Sequence, residues 1–140
     1  MKRKDDPIKN LFLVLGILQS IISVGAIIGG IGMCIDPSGH TDGVSQELLR
    51  NSPFKDYWYP GLFLLIVHGI GNLIAALVSF FRKKNAGTTG ILLGGILIAW
   101  VAIQIFWIGF SHILQPAFVV FGFAEVFIGT LIYRHYYKRR

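Results

Sequence analysis

Charge is scarce in this chain, and cysteine nearly absent. Only 14% of its 140 residues are Asp, Glu, Lys or Arg, against about a quarter in an ordinary soluble domain. That excludes a solvated surface of the usual kind. The single cysteine, Cys34, excludes an intrachain disulfide and any C-x-x-C pair, and with them the dithiol chemistry of quinone-coupled disulfide oxidases. Cys34 reads as a small packing residue. Phosphate loops, nucleophile elbows and H-E-x-x-H zinc motifs are all missing, which removes the commonest routes to catalysis. No metal and no cofactor is expected. Of the seven acidic residues, only Glu125 falls inside a long apolar run.

What is there is hydrophobic: 54% of the residues, with a mean hydropathy of +0.63. Four runs stand out, Leu11 to Ile35, Gly61 to Phe81, Thr88 to Phe110 and Ala117 to Tyr133. At roughly 1.5 Å per helical residue each crosses, or nearly crosses, a hydrocarbon core of about 30 Å. The composition therefore predicts an all-α fold, a four-helix transmembrane bundle forming one integral membrane domain over residues 1–140. The first run follows basic residues as a signal peptide would. It is too long for one and lacks a small-x-small cleavage site before Asp36, so it reads as a retained span. No run contains a break that marks a discontinuous helix.

Basic residues predict the orientation, because Lys and Arg near span ends stay on the cytoplasmic side. Lys2, Arg3, Lys4 and Lys9 precede the first run, Arg82, Lys83 and Lys84 separate the second from the third, and Arg134, Lys138, Arg139 and Arg140 follow the fourth. That places 11 of the 13 basic residues on one side. The 25-residue stretch from Asp36 to Pro60 holds only Arg50 and Lys55 and is expected outside, with both termini cytoplasmic. The pI of about 9.7 is this topology signal itself, and nucleic acid is not expected as a partner. Tyr133, Tyr136 and Tyr137 within the basic tail read as an interfacial anchor on anionic headgroups. Membrane lipids are the expected partners, with a second copy or another membrane protein beside them.

In the outer stretch, Asp42-Gly43 is placed to cap a short amphipathic helix over Val44 to Arg50, with Leu48 and Leu49 turned to the membrane. Phe54, Tyr57, Trp58 and Tyr59 read as an aromatic belt, with Pro60 opening the second span and Pro116 the fourth. Asp36, His40 and Asp42 carry metal-ligating atoms, yet within a Pro-Ser-Gly turn they read as solvated loop. His112 and Gln115 read as interfacial. Trp107 suits the interface, and the deeper Trp100 suits packing.

Small residues mark the helix faces that pack in lipid. In the first span Gly16, Gln19, Ser23, Ala26 and Gly30 form one stripe, while Gly25 and Gly29 make a G-x-x-x-G on another face. His68, Asn72, Ala75, Ala76 and Ser79 share a face of the second. Gly90 and Gly94 form a second G-x-x-x-G, and Gly122 and Gly129 flank Glu125. An acid at mid-membrane costs a few kcal/mol on insertion scales, so it faces protein interior and has a partner. Each span offers a polar group near that depth. The expected intramembrane site is Glu125, His68, Asn72, Gln19 and Gln104, with Glu125 and His68 titratable and the three amides as hydrogen-bonding walls. The plainer alternative is an interhelical network that only sets register.

Asp36-Pro37-Ser38-Gly39, Ser52-Pro53-Phe54-Lys55-Asp56-Tyr57 running into Pro60-Gly61-Leu62-Phe63, and Gln104 followed by Ile108-Gly109 and Leu114-Gln115-Pro116 resemble a group of small, uncharacterised bacterial four-span membrane proteins. The general look is also similar to the DoxX-like four-helix membrane proteins, without a specific motif of theirs. The resemblance implies architecture and carries no activity. Three roles fit the residues: a non-enzymatic accessory or lipid-interacting protein of the cell membrane, an oligomeric proton-coupled transporter or channel, and a lipid- or isoprenoid-modifying enzyme using Glu125 and His68 as acid and base.

Overall fold

Each apolar run becomes one long helix in the computed structural model, which describes residues 7–41 and 43–138. Helix α1 spans Pro7–Ile35, α2 Trp58–Phe80, α3 Ala86–Ile108 and α4 Leu114–Tyr137, of 29, 23, 23 and 24 residues. A 3₁₀ turn, Gln46–Asn51, lies in the long connection. Every helix is longer than about 30 Å at 1.5 Å per residue, enough to cross a bilayer core. The outward faces are apolar, with Phe106 85% and Ile28 68% exposed. Faces of this extent require lipid in place of water. The basic residues 2–4 and 139–140, which carry part of the orientation argument, lie outside the described residues.

Prolines sit slightly deeper than the sequence suggested. Pro60 and Pro116 were expected to open their spans, yet each is the third residue of its helix. The first four N–H groups of a helix have no intrahelical acceptor, so a proline in the first turn loses no hydrogen bond. Termination differs between helices. Helix α3 ends on Gly109 at φ 70°, a backbone region that glycine enters without strain. Helix α2 ends with Arg82 at φ 53°: the Arg82 N–H donates to Ser79 O at 2.9 Å and the Lys83 N–H to Val78 O at 3.0 Å. This is the paired-bond closure normally reserved for glycine.

Two antiparallel pairs build the structure. In the α3–α4 pair backbones touch: a Cβ on Gly94 would stand 2.7 Å from Gly122 O, and one on Gly129 2.8 Å from Gly87 O. In the α1–α2 pair Gly30 meets Gly61 O at 2.8 Å and Gly16 meets the Phe80 ring at 2.7 Å by the same measure. The G-x-x-x-G of Gly25 and Gly29 does not make such a seam. Their nearest neighbours are Phe118 at 3.7 Å and Leu64 at 3.4 Å, because the stripe one position on, through Ala26 and Gly30, carries the closer contact and turns these glycines onto a cavity wall. Helix α1 also packs on α4, and α2 on α3. Phe12, Leu15, Ala86 and Ile132 fill the core near the end that holds the termini, and Ile22, Leu97 and Val101 fill it further along.

Helix α2 is not uniform. Between the α segments Trp58–Phe63 and Gly71–Phe80, residues Leu64–Ile70 form a π-helical stretch, and the Gly71 N–H reaches back five residues to Ile66 O. The sequence showed no interruption in this run. A π segment adds no proline or polar break to the sequence, and it commonly accompanies functional sites.

Candidate intramembrane site

Glu125 lies 11 residues from Leu114 and 12 from Tyr137, so it stands near the middle of α4. Its side chain is fully buried. Gln19 Nε2 donates to Glu125 Oε1 at 3.1 Å, and Ser79 Oγ donates to Gln19 Oε1 at 2.8 Å. Three helices are thereby joined by one directed chain of hydrogen bonds ending at the carboxyl group. Glu125 Oε2 has no partner among the described residues.

Toward the loop end the interior stays polar. Asn72 and His68, one turn apart on α2, are both 0% exposed, and among the described residues none of their four side-chain nitrogen and oxygen atoms has a partner. Ser23 on α1 donates to Gly69 O at 2.7 Å, which ties α1 to the π segment beside His68. The imidazole packs edge-on to Phe63 at 5.8 Å, and Phe63 lies against Trp100 at 4.4 Å. The opposite direction is closed by the apolar cluster of Phe12, Leu15, Ala86 and Ile132.

Gln104 is placed elsewhere. Expected among the walls of the Glu125 site, it lines a separate cavity of about 340 Å³ with Trp100, Trp107, Val101 and Leu97 of α3, Gly25, Gly29 and Met33 of α1, and Phe118 of α4. The reason is register. Gly90 and Gly94 face the Glu125 level of α4, so Gln104 stands three turns nearer the loop end. The long connection roofs this cavity with Val44, Leu49, Ser52, Phe54 and Tyr57. Among the described residues no Asp, Glu, Lys or Arg lines it. Its volume falls at the lower end of the range of about 300–1,000 Å³ for small-molecule sites.

The roof departs from the sequence reading in several places. The amphipathic segment is a 3₁₀ turn capped by Ser45, whose Oγ accepts from the Glu47 N–H at 3.2 Å. The cap expected at Asp42 lies outside the described residues. Leu49 is buried while Leu48 is half-buried. Trp58 and Tyr59 are exposed as a belt requires, but Tyr57 is 4% exposed and Phe54 packs edge-on to Trp107 at 5.7 Å. Tyr57 turns inward because its hydroxyl finds Ser45 O at 2.8 Å and its N–H finds Pro37 O at 3.0 Å. Burial holds its phenol above the ordinary pKa. Gln115, read as interfacial, is 5% exposed; its Oε1 accepts from the Ser111 N–H at 3.0 Å and closes the α3–α4 turn. His112 is exposed and accepts from the Leu114 N–H at 3.1 Å.

Asp36 closes a turn. Its carboxylate accepts from the Ser38 hydroxyl, from the Thr41 hydroxyl at 2.6 Å and from the Thr41 N–H at 2.9 Å. The Ser38 hydroxyl first, then the Thr41 hydroxyl, holds its pKa well below the ordinary 3.8. The folded value is the depressed one, so this closure is present above 3.8 and is lost only as pH falls through the folded value. Among the described residues no three His, Cys, Asp or Glu side chains converge on a metal position.

Ser79 and Ser23 complete the hydrogen bonding that the sequence-based site left out. Both stood on the small-residue faces already marked, and a hydroxyl on such a face is the available signal. The Phe63–Trp100 pair and the π segment left no such mark. Four long apolar helices, lipid-suited outer faces and a polar interior define a multi-pass membrane protein with four candidate spans. No family model matches the chain, and no curated protein or solved structure matches it.

Proposed function

We propose that this is a non-enzymatic, lipid-interacting protein of the cell membrane that holds an uncharged apolar chain, acyl or isoprenoid, in the cavity beneath its long connection. The observation that carries this reading is the lining: aromatic and aliphatic walls, hydrogen-bonding groups such as Gln104, Ser52 and His112, and, among the described residues, no Asp, Glu, Lys or Arg. Such a site suits an apolar tail with one or two neutral polar groups. The partition of basic residues supports both termini in the cytoplasm and the connection outside, so the cavity opens to the outer leaflet.

Native mass spectrometry of protein extracted gently from membranes tests the ligand. Gly25→Leu fills the cavity from a position where a Cβ meets only Phe118, at 3.7 Å. Wild-type protein should retain lipid and Gly25→Leu should lose it; equal retention by both refutes the reading. Orientation is tested in a Cys34→Ser background in intact cells. A cysteine at Ser45 should react with an impermeant maleimide and one at Lys138 should not, and the reverse pattern inverts the assignment.

A further inference from the structure

Two kinds of polar group share the interior at Glu125. Ser23 and Ser79 are closed contacts, each hydroxyl donating to one defined acceptor at 2.7 and 2.8 Å. Glu125, Asn72 and His68 are open: each is 0% exposed, and each keeps at least one side-chain polar atom without a partner. A network that merely fixes helix register is expected to be fully satisfied, since a half-satisfied buried network is worse than an apolar one.

The chemistry of the open atoms is two-sided. As a carboxylate, Glu125 has a single amide donor, Gln19, and no donor at Oε2. As a carboxylic acid it gains an O–H that needs an acceptor. Asn72 offers an unpaired amide donor and an unpaired carbonyl acceptor, and the imidazole of His68 is donor at one nitrogen and acceptor at the other when neutral. Unpaired groups complementary to either protonation state of Glu125 are therefore buried on α2, and the existing bond from Gln19 to Oε1 leaves Oε2 without a partner among the described residues.

Among the described residues the surroundings supply no fixed charge. Against Glu125, α1 contributes Gln19, which does not titrate, and α3 brings Gly90 to the Glu125 backbone carbonyl. On α2 the one titratable member of the polar face is His68. Every described lysine and arginine, from Lys9 to Lys138, is exposed.

We propose that Glu125 is an exchangeable-proton site in the membrane interior, with His68 as the titratable group coupled to it. The ligand is the proton itself. On release the carboxylate keeps the O–H bonding pair and the proton leaves; on uptake an oxygen lone pair re-forms the O–H bond. Transfer to His68 converts acid and imidazole into carboxylate and imidazolium, with no other reactant. This assignment is independent of what the loop-end cavity holds.

The chain contains two glutamates, Glu47 and Glu125, so carboxyl-¹³C-glutamate labelling of the full chain in lipid nanodiscs gives two side-chain resonances. Glu47 is exposed on the 3₁₀ turn, and Glu47→Gln assigns it without touching the interior. The Glu125 resonance should follow its own pH curve, separate from that of Glu47. His68→Asn should displace the Glu125 curve by about one pH unit or more, the size that marks strongly interacting groups, and leave the Glu47 curve in place. A Glu125 resonance that stays fixed over the whole pH range in which the protein remains helical overturns the proposal, as does one that tracks Glu47. An undisplaced curve in a folded His68→Asn variant removes His68 from the site. Should His68→Asn not fold, the two wild-type curves decide.

Discussion

The two helix pairs hold together by different means. Across α3–α4, glycine backbones touch at Gly87–Gly129 and Gly94–Gly122, and both helices remain regular α structure. Across α1–α2, Gly30–Gly61 is supplemented by two serine hydrogen bonds, and α2 departs into a π segment where Ser23 bonds it. Close glycine packing is satisfied by shape alone, since lipid competes weakly with well-fitted backbone contact. A polar seam must also match each donor to an acceptor, and here that matching coincides with a deformed helix and with groups left open.

The largest expected effect comes from breaking the glycine seam. Gly94→Leu drives a side chain into Gly122 O and should destabilise the protein in detergent by about 3 kcal/mol, the upper part of the usual overpacking cost. Gly95→Leu, where a Cβ meets nothing within 4 Å, should leave the melting temperature nearly unchanged. Equal effects at the two positions would mean that this seam does not hold the pair.

Next comes the junction between the pairs. Glu125→Ala removes the acceptor of the Gln19 amide and should cost about 2 kcal/mol, the penalty for a buried donor left unpaired. Glu125→Gln preserves that acceptor and should fall within about 0.5 kcal/mol of wild type. Thermal or chemical unfolding in one detergent compares the three.

On the polar seam, Ser23→Ala should cost about 1 kcal/mol, a typical single hydrogen bond. Faster amide hydrogen exchange should then be confined to the π stretch around Gly69. Exchange unaffected there would separate the π segment from the serine. The smallest effect is expected where α2 and α3 end differently. Arg82→Gly should stabilise by about 0.5 kcal/mol by relieving left-handed backbone strain that Gly109 never incurs, read as a rise in unfolding midpoint.

Much of this was legible along the chain because its signals are local. Span length and hydropathy are sums over neighbouring residues. The stripe Gly16, Gln19, Ser23, Ala26, Gly30 follows from helical periodicity, and all five residues are buried. The glycine faces of α3 and α4 follow in the same way. Axial depth was not legible in the same way: Gln104 was grouped with Glu125 because each span offers a polar group near mid-membrane, whereas the glycine register sets the actual offset between α3 and α4.

Composition and periodicity by themselves determined that the chain forms four long helices, that their outer faces suit lipid, and which stripe of each helix turns inward. Tertiary packing alone decided the rest: that Gln19 reaches Glu125 and Ser79 reaches Gln19 while Gln104 lines a cavity, that Gly25 and Gly29 stay open, that Tyr57 and Gln115 are buried, and that α2 takes a π turn at His68. The physical reason is that a helix's face is set by its own residues, while its axial offset and the pairing of its polar atoms depend on the neighbour it packs against.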